Sequence, residues 1–195
     1  MAKREDYTPE RLADRAQIQD CVYQWCRAVD RLDLEAIRGC FHPGAVDNHG
    51  PYQGDIEGLI NWIRDRHQAI TFSMHSVNNM LIEFAGPDAA IAESYCTAMQ
   101  RYPAEAKEAL KQLTAGMAGK PGTGIDMIAC CRYVDRFERR NGEWRISERR
   151  VVFDSTMMYE FPADGAKMGE TWTVGKRRNR ADFVFEARAK AGIRA

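Results

Sequence analysis

The chain of 195 residues has no excess of either charge: Lys+Arg and Asp+Glu both total 28, so the formal net charge is zero. That balance provides no basic field for nucleic acid and no polybasic face for an anionic membrane. The run KRRNR at 176–180 is a local exception, and a short basic stretch near a terminus reads as solvated or subunit-contacting. The start, MAKREDYTPERLADRAQ, has no apolar signal region, and no apolar run approaches the length of a membrane span. The six cysteines (Cys21, Cys26, Cys40, Cys96, Cys130 and Cys131) form no CxxC and no Cys/His grouping at zinc-ligand spacing. They read as reduced core thiols, which suits a cytoplasmic protein. GxSxG, HExxH and a glycine-rich phosphate loop are also missing. GKPGTG at 119–124 lacks the Lys-Ser/Thr that a phosphate loop needs. The expectation is no metal and no cofactor.

What is present is one domain's worth of periodic sequence, with no linker, repeat or low-complexity tract over residues 1–195. Leu12, Ile18, Val22, Trp25, Cys26 and Val29 recur at helical spacing and predict a helix from about Arg11 to Leu32. Leu34 to Phe41 reads as a short second helix stopped by His42-Pro43-Gly44, with a strand at Ala45–Asn48 after it. Gly54 to Ala69 is a third helix, with Ile56, Leu59, Ile60 and Ile63 on its apolar side. Four long stretches rich in β-formers follow: Thr71–Phe84, Ala89–Arg101, Ile125–Arg140 and Glu143–Asp154. Gly86-Pro87-Asp88 turns the first into the second, and Asn141-Gly142 joins the last two as a two-residue hairpin. Residues 103–124 read as an insertion at the mouth of the fold, and 156–195 as an irregular tail with a helix at Asp182–Ala191. Helices followed by a curved antiparallel sheet predict an α+β architecture with an apolar pocket between the layers.

Two residues are out of character for their positions. Asp30 adjoins the buried stripe of the first helix and lies one heptad from Tyr23, so its carboxylate needs a partner; it equally fits a chain turning into the next helix, with Asp33 as N-cap. In FSMHSVNNMLIEF, alternation places His75 on one face with Ser73, Val77 and Asn79, against Phe72 and Met74. His42 falls at a helix stop, His49 in a turn and His67 on the exposed side of a helix, which leaves His75 best placed for a sheet-lined pocket. An Asp bonded to one ring nitrogen of a His raises the basicity of the other. Arg149 shares a strand face with Val151 and suits either a solvated position or an oxygen-binding one in the pocket. Tyr23 and Tyr52 are candidate proton donors as well as packing residues. Trp25, Trp62, Met80 and the 103–124 segment are candidate pocket walls.

The stretches LADRAQIQDCVYQWCRAVDRLDLEAIRGCF, SMHSVNNMLIEF and CRYVDRFERRNGEWRISERRVVFD resemble the SnoaL-like branch of the nuclear-transport-factor-2-like superfamily over residues 10–155. Within it the chain resembles γ-hexachlorocyclohexane dehydrochlorinase and, more distantly, scytalone dehydratase and bile-acid 7α-dehydratase. The resemblance implies a cone-shaped fold, a curved mixed sheet wrapped round the N-terminal helices with a deep pocket, and a homotrimer. It implies an Asp–His dyad working without metal or organic cofactor, with Asp30 as the aspartate, His75 as the histidine and Arg149 as the dehydrochlorinase arginine. Trp25 stands where the dehydrochlorinase has a pocket lysine or glutamine, and Val29 where scytalone dehydratase has a tyrosine. A second pocket histidine has no evident counterpart. The expected function is a cofactor-independent lyase on a hydrophobic cyclic molecule, with Tyr23, Trp25, Tyr52 and Trp62 binding it. The alternatives are an isomerase, cyclase or hydrolase in the same pocket, a ligand-binding protein, or a dioxygenase small subunit.

Overall fold

The computed structural model describes residues 7–111, 113, 114, 116, 119–161, 169, 171–173, 175 and 178–193. Helix α1 (Pro9–Arg31) begins where Thr8 accepts a hydrogen bond from the Arg11 backbone N–H and Pro9 needs no donor. It ends at Leu32, whose left-handed φ of 50° turns the chain, and Asp33 then caps α2 (Leu34–Gly39).

Strand β1 (Phe41–Asn48) begins earlier than expected and runs through His42, Pro43 and Gly44. It pairs in parallel with β6 (Glu143–Phe161), and the register shifts between Phe41 and Val46. Pro43 and Gly44 sit in that irregularity, where no ladder donor is required, and Gly44 has a positive φ of 81°. Strand β2 (Gln53–Asp55) leads into α3 (Ile56–His67), capped by Asp55.

Strands β3 (Phe72–Phe84), β4 (Ala89–Tyr102), β5 (Gly124–Arg140) and β6 form an antiparallel meander, and the six strands lie in the order β2-β1-β6-β5-β4-β3. The sheet is mixed, curved and unclosed. The β5–β6 turn is tight because Asn141 and Gly142 both take positive φ, 55° and 82°. A bulge between Val77 and Met80 on β3 lets both side chains face inward and turns Asn79 outward, away from the face of His75. A second irregularity in β5–β6, between Arg136 and Phe137, lets Ile146 and Arg149 both point inward although they are three residues apart.

The concave face of β4 carries small residues, Ala90, Ala92, Ser94, Cys96 and Ala98, all buried. Helices α1 and α3 pack over that face with Ile18, Val22, Trp25, Leu59, Ile60 and Ile63. Small inward side chains at the β4–β5 centre leave space that the helices do not fill. In 103–124, a 3₁₀ turn (Ala104–Ala106) and α4 (Lys107–Lys111) press Ala106 and Leu110 onto Tyr102, Ile125 and Met127. Strand β6 continues to Phe161, past the expected end at Asp154, and α5 (Phe183–Lys190) lies where a tail helix was expected. Among the described residues, no helix is long and apolar enough to cross a membrane.

Candidate active site

Asp30 lies in the last turn of α1, facing β3. Its Oδ1 accepts from His75 Nδ1 at 2.7 Å and from Ser73 Oγ at 2.8 Å, and its Oδ2 accepts from the His75 backbone N–H at 2.8 Å. Burial alone would raise the carboxyl pKa, but the His75 ring, the His75 backbone and Ser73 together hold it below the usual aspartate range. An ionised Asp30 only accepts, so Nδ1 of His75 carries the hydrogen, and in the neutral ring Nε2 is then the lone-pair nitrogen. Nε2 makes no hydrogen bond among the described residues. Strand alternation thus brings Ser73 and His75 to one carboxylate, and α1 ends where that carboxylate meets them.

His75 borders two depressions. The outer one, between α1 and β3, is lined by Tyr23, Cys26, Arg27, Asp30, Arg31 and Val77. Tyr23 is 49% exposed there, on the helix face of Asp30. The inner one is the cone's interior, a cavity of about 40 Å³ that is partly open to solvent. Besides His75 it is lined by His49, Trp62, Arg66, Gln100 and Tyr133, and by apolar groups that include Met127, Val151, Phe153 and Leu113 of the 103–124 segment. Convergent polar groups in a largely apolar lining make the inner cavity the candidate place for chemistry.

Arg149 does not stand at that cavity. Its Nε and Nη2 bind both oxygens of Asp135, at 2.7 and 2.6 Å, with the two side chains fully buried. The guanidinium lies 4.5 Å from the Trp25 ring and 4.3 Å from that of Tyr133, one layer behind the wall. Burial opposes its charge, but Asp135 holds its pKa above the usual arginine range. Burial likewise pushes the Asp135 carboxyl up against the pull of Arg149. The two-point geometry is that of an ion pair. Trp25, 1% exposed, packs edge-on against Phe41 and Tyr133 and does not line the cavity; nor does Met80, which joins the core beside β3. Tyr52 donates to the Asp55 carbonyl at 2.5 Å and stacks on Trp62, so it supports the wall from outside.

Two histidines sit elsewhere than expected, while His49, in the turn that follows β1 as expected, lines the cavity with Nδ1 2.6 Å from Oδ1 of the buried Asp47. The only sequence signal for it was the Asp-x-His spacing in a segment read as a turn. His67 is buried, not exposed, because the last turn of α3 is covered by Arg178 from the tail. His42 is buried in β1, its Nε2 at 2.8 Å from the Glu138 carbonyl. Arg66 and Arg178 are also new to the site. Arg178, from the basic run at 176–180, donates to the carbonyls of Val29, Asp30, His67 and Ile70 at 2.7–3.5 Å. Burial pushes its pKa down to about 10. Among the described residues, no group of three or more His, Cys, Asp or Glu side chains is arranged to hold a metal.

Residues 10–150 match the model of the SnoaL-like domain. No curated protein matches the chain significantly. Among solved structures, a hexachlorocyclohexane dehydrochlorinase from Novosphingobium barchaimii is 17% identical, with 76% of this chain and 92% of that one aligned at a TM-score of 0.61. A scytalone dehydratase candidate from Novosphingobium aromaticivorans is also 17% identical, aligned over 80% and 97% at 0.61. A Mycobacterium tuberculosis protein of unknown function is 23% identical, aligned over 75% and 76% at 0.56. At such identities the likeness establishes the fold.

Proposed function

The chain belongs to the SnoaL-like domain family, with its nuclear-transport-factor-2-like fold, and from that premise we propose that it is a cofactor-independent lyase acting on a hydrophobic cyclic small molecule. The observation that carries this reading is the Asp30–His75 pair, with one ring nitrogen bound to the carboxylate at 2.7 Å and the other without a hydrogen bond among the described residues, on a ring that borders the inner cavity. In the proposed step, His75 Nε2 takes a proton from carbon and becomes an imidazolium that the Asp30 charge stabilises. The electron pair of the broken C–H bond forms the double bond, and hydroxide or halide leaves from the neighbouring carbon. A departing hydroxide takes up the proton and leaves as water, and a halide leaves as the ion. Trp62 forms part of the cavity wall, and Tyr52 braces Trp62 from behind. Arg149 acts through Asp135 and Tyr133 as a support of that wall. Tyr23 borders the outer depression beside the dyad. The proposed assembly is a homotrimer joined through the outer face of the sheet, and the proposed location is the cytoplasm.

The test is a conversion screen of cyclic β-hydroxyketones and halogenated cyclohexanes, followed by mass spectrometry. With any compound turned over, Asp30→Asn and His75→Ala should each lower the rate by about 10²–10⁴-fold. Retention of full rate by both variants would reject the dyad.

A second reading, an isomerase, is favoured by the Asp47–His49 pair on the same cavity. One histidine would remove a proton and the other return one at a different carbon. Turnover in D₂O separates the two: isomerisation conserves the substrate mass apart from deuterium gained, whereas elimination loses water or hydrogen halide.

A further inference from the structure

The end of the cavity formed by α3 carries positive charge that no carboxylate meets among the described residues. Arg66 Nη1 donates to the Tyr102 hydroxyl at 2.9 Å and to Gln100 Oε1 at 3.3 Å, both neutral groups. Nη2 contacts His67 Nε2, and the buried Nε has no partner. The guanidinium lies 4.7 Å from the Trp62 ring. The other nitrogen of His67, Nδ1, faces Arg178 Nη2 at 2.9 Å. A neutral imidazole has one lone pair and one N–H. It can therefore accept from one of the two arginines only, and a protonated ring would add a third positive charge. Burial, then Arg66 and Arg178, hold His67 well below the usual histidine pKa. Asp30 is the nearby acid of the dyad, and its two oxygens are occupied by Ser73 and His75. Gln100 Oε1 accepts from Tyr102 at 2.6 Å as well as from Arg66, which orients its amide N–H groups as further donors.

We propose that this end of the cavity binds an anionic oxygen of the substrate, a carboxylate carried on a hydrophobic cyclic body. Arg66 supplies the charge and the Gln100 amide a second donor, while Trp62, Met127, Val151 and Phe153 take the apolar part. A guanidinium that no carboxylate meets among the described residues, on the wall of a largely apolar cavity, is matched by an oxygen anion. The register sets the reach. Gln100 pairs with Ser73 and Ala98 with His75, so Gln100 stands two residues along β4 from the position opposite the dyad, roughly 7 Å. One ring bridges that distance with its carboxylate on Arg66 and a ring C–H toward His75. The inference rests on the reading of this cavity as the substrate site, but binding at Arg66 needs no chemistry at the dyad.

The test is calorimetric titration of the full chain at neutral pH with cyclohexanecarboxylate and with its neutral isostere cyclohexanecarboxamide. The wild type should bind the acid at least about tenfold more tightly than the amide, a difference of about 1.4 kcal/mol. Arg66→Gln should cut that preference to about twofold or less, and Arg66→Lys should keep part of it. The probes undergo no reaction, so the readout is binding alone, and failure of the dyad to turn over any substrate would leave this result standing. Equal binding of the two probes by the wild type, no binding of either, or an unchanged preference in Arg66→Gln would overturn it. If Arg66→Gln does not fold, Gln100→Leu should lower acid affinity several-fold with the amide less affected, and an unchanged acid affinity there counts against the proposal.

Discussion

Arg149 and Asp135 show how a residue's chemistry depends on what the fold puts against it. On a strand drawn from sequence, Arg149 is either a solvated cation or one directed at a substrate; in the folded chain both of its paired nitrogens are committed to Asp135 and its face is enclosed by Trp25 and Tyr133. Such a pair gains little over a well-packed apolar one, because each ion has lost its water, but either member alone is left charged in a dry place. Asp135→Asn should therefore cost about 3–5 kcal/mol in urea unfolding, whereas Asp135→Leu combined with Arg149→Met should cost far less than the two single changes summed. A loss below about 1 kcal/mol for Asp135→Asn would mean that the guanidinium finds another partner. Asp30 contrasts with this pair. Its neighbours are a backbone N–H, a hydroxyl and an imidazole, so its charge is satisfied while the free His75 nitrogen borders the cavity.

Among the elements, the tail beyond β6 holds the site from outside. Arg178 joins the end of α1, at the carbonyls of Val29 and Asp30, to the end of α3 and the turn after it, at the carbonyls of His67 and Ile70; those of Val29 and His67 also accept from the Leu32 and Ile70 backbone N–H groups. Arg178→Ala should destabilise the chain by about 1.5–3 kcal/mol, since it removes several charge-assisted bonds at once. The neighbouring Arg180, exposed and paired with Asp33 at 2.9 Å, should cost under about 1 kcal/mol when changed to Ala. Equal effects in thermal or chemical melts would contradict the clamp. This contact also marks where sequence reasoning stops. The helices, the long strands and the Asn141-Gly142 turn are written in local periodicity and turn chemistry, and Asp30 stood out as a carboxylate beside an apolar stripe. Arg66, His67 and Arg178 did not, because their surroundings come from segments far apart in sequence: Arg66 meets Gln100 and Tyr102, and His67 meets Arg178, 111 residues away. The bulge at Asn78 and Asn79 was equally illegible, since simple alternation assigned Asn79 to the face of His75, and the first half of β1 was hidden by Pro43 and Gly44. His49 was masked in the same way: its role follows from the parallel β1–β6 pairing, which places the end of β1 beside the cavity.

For the whole molecule, the outer surface of the sheet bears on assembly. Register aligns Met74 on β3 with Met99 on β4, Ile128 on β5 and Met157 on β6, a continuous apolar row across four strands, roughly 14 Å long. Met74 and Met157 are 42% and 40% exposed, and Phe72, Tyr95 and Tyr159 lie nearby on the same surface with similar or greater exposure. The concave face already has α1 and α3 to cover it, whereas among the described residues no helix packs over this row of the convex face. A row of thioethers and aromatic rings suits burial against another copy, because methionine adapts to an imperfect surface. The proposed trimer uses this face. Light scattering coupled to gel filtration should then give a mass three times that of the 22.2 kDa chain. Met157→Lys would place a charge in the middle of each contact and should shift the population to monomer, with the circular dichroism of the fold unchanged. A wild-type chain that runs as a monomer at all concentrations would reject the trimer. A Met157→Lys variant that stays trimeric would move the interface off this row and leave the convex face without an assigned partner.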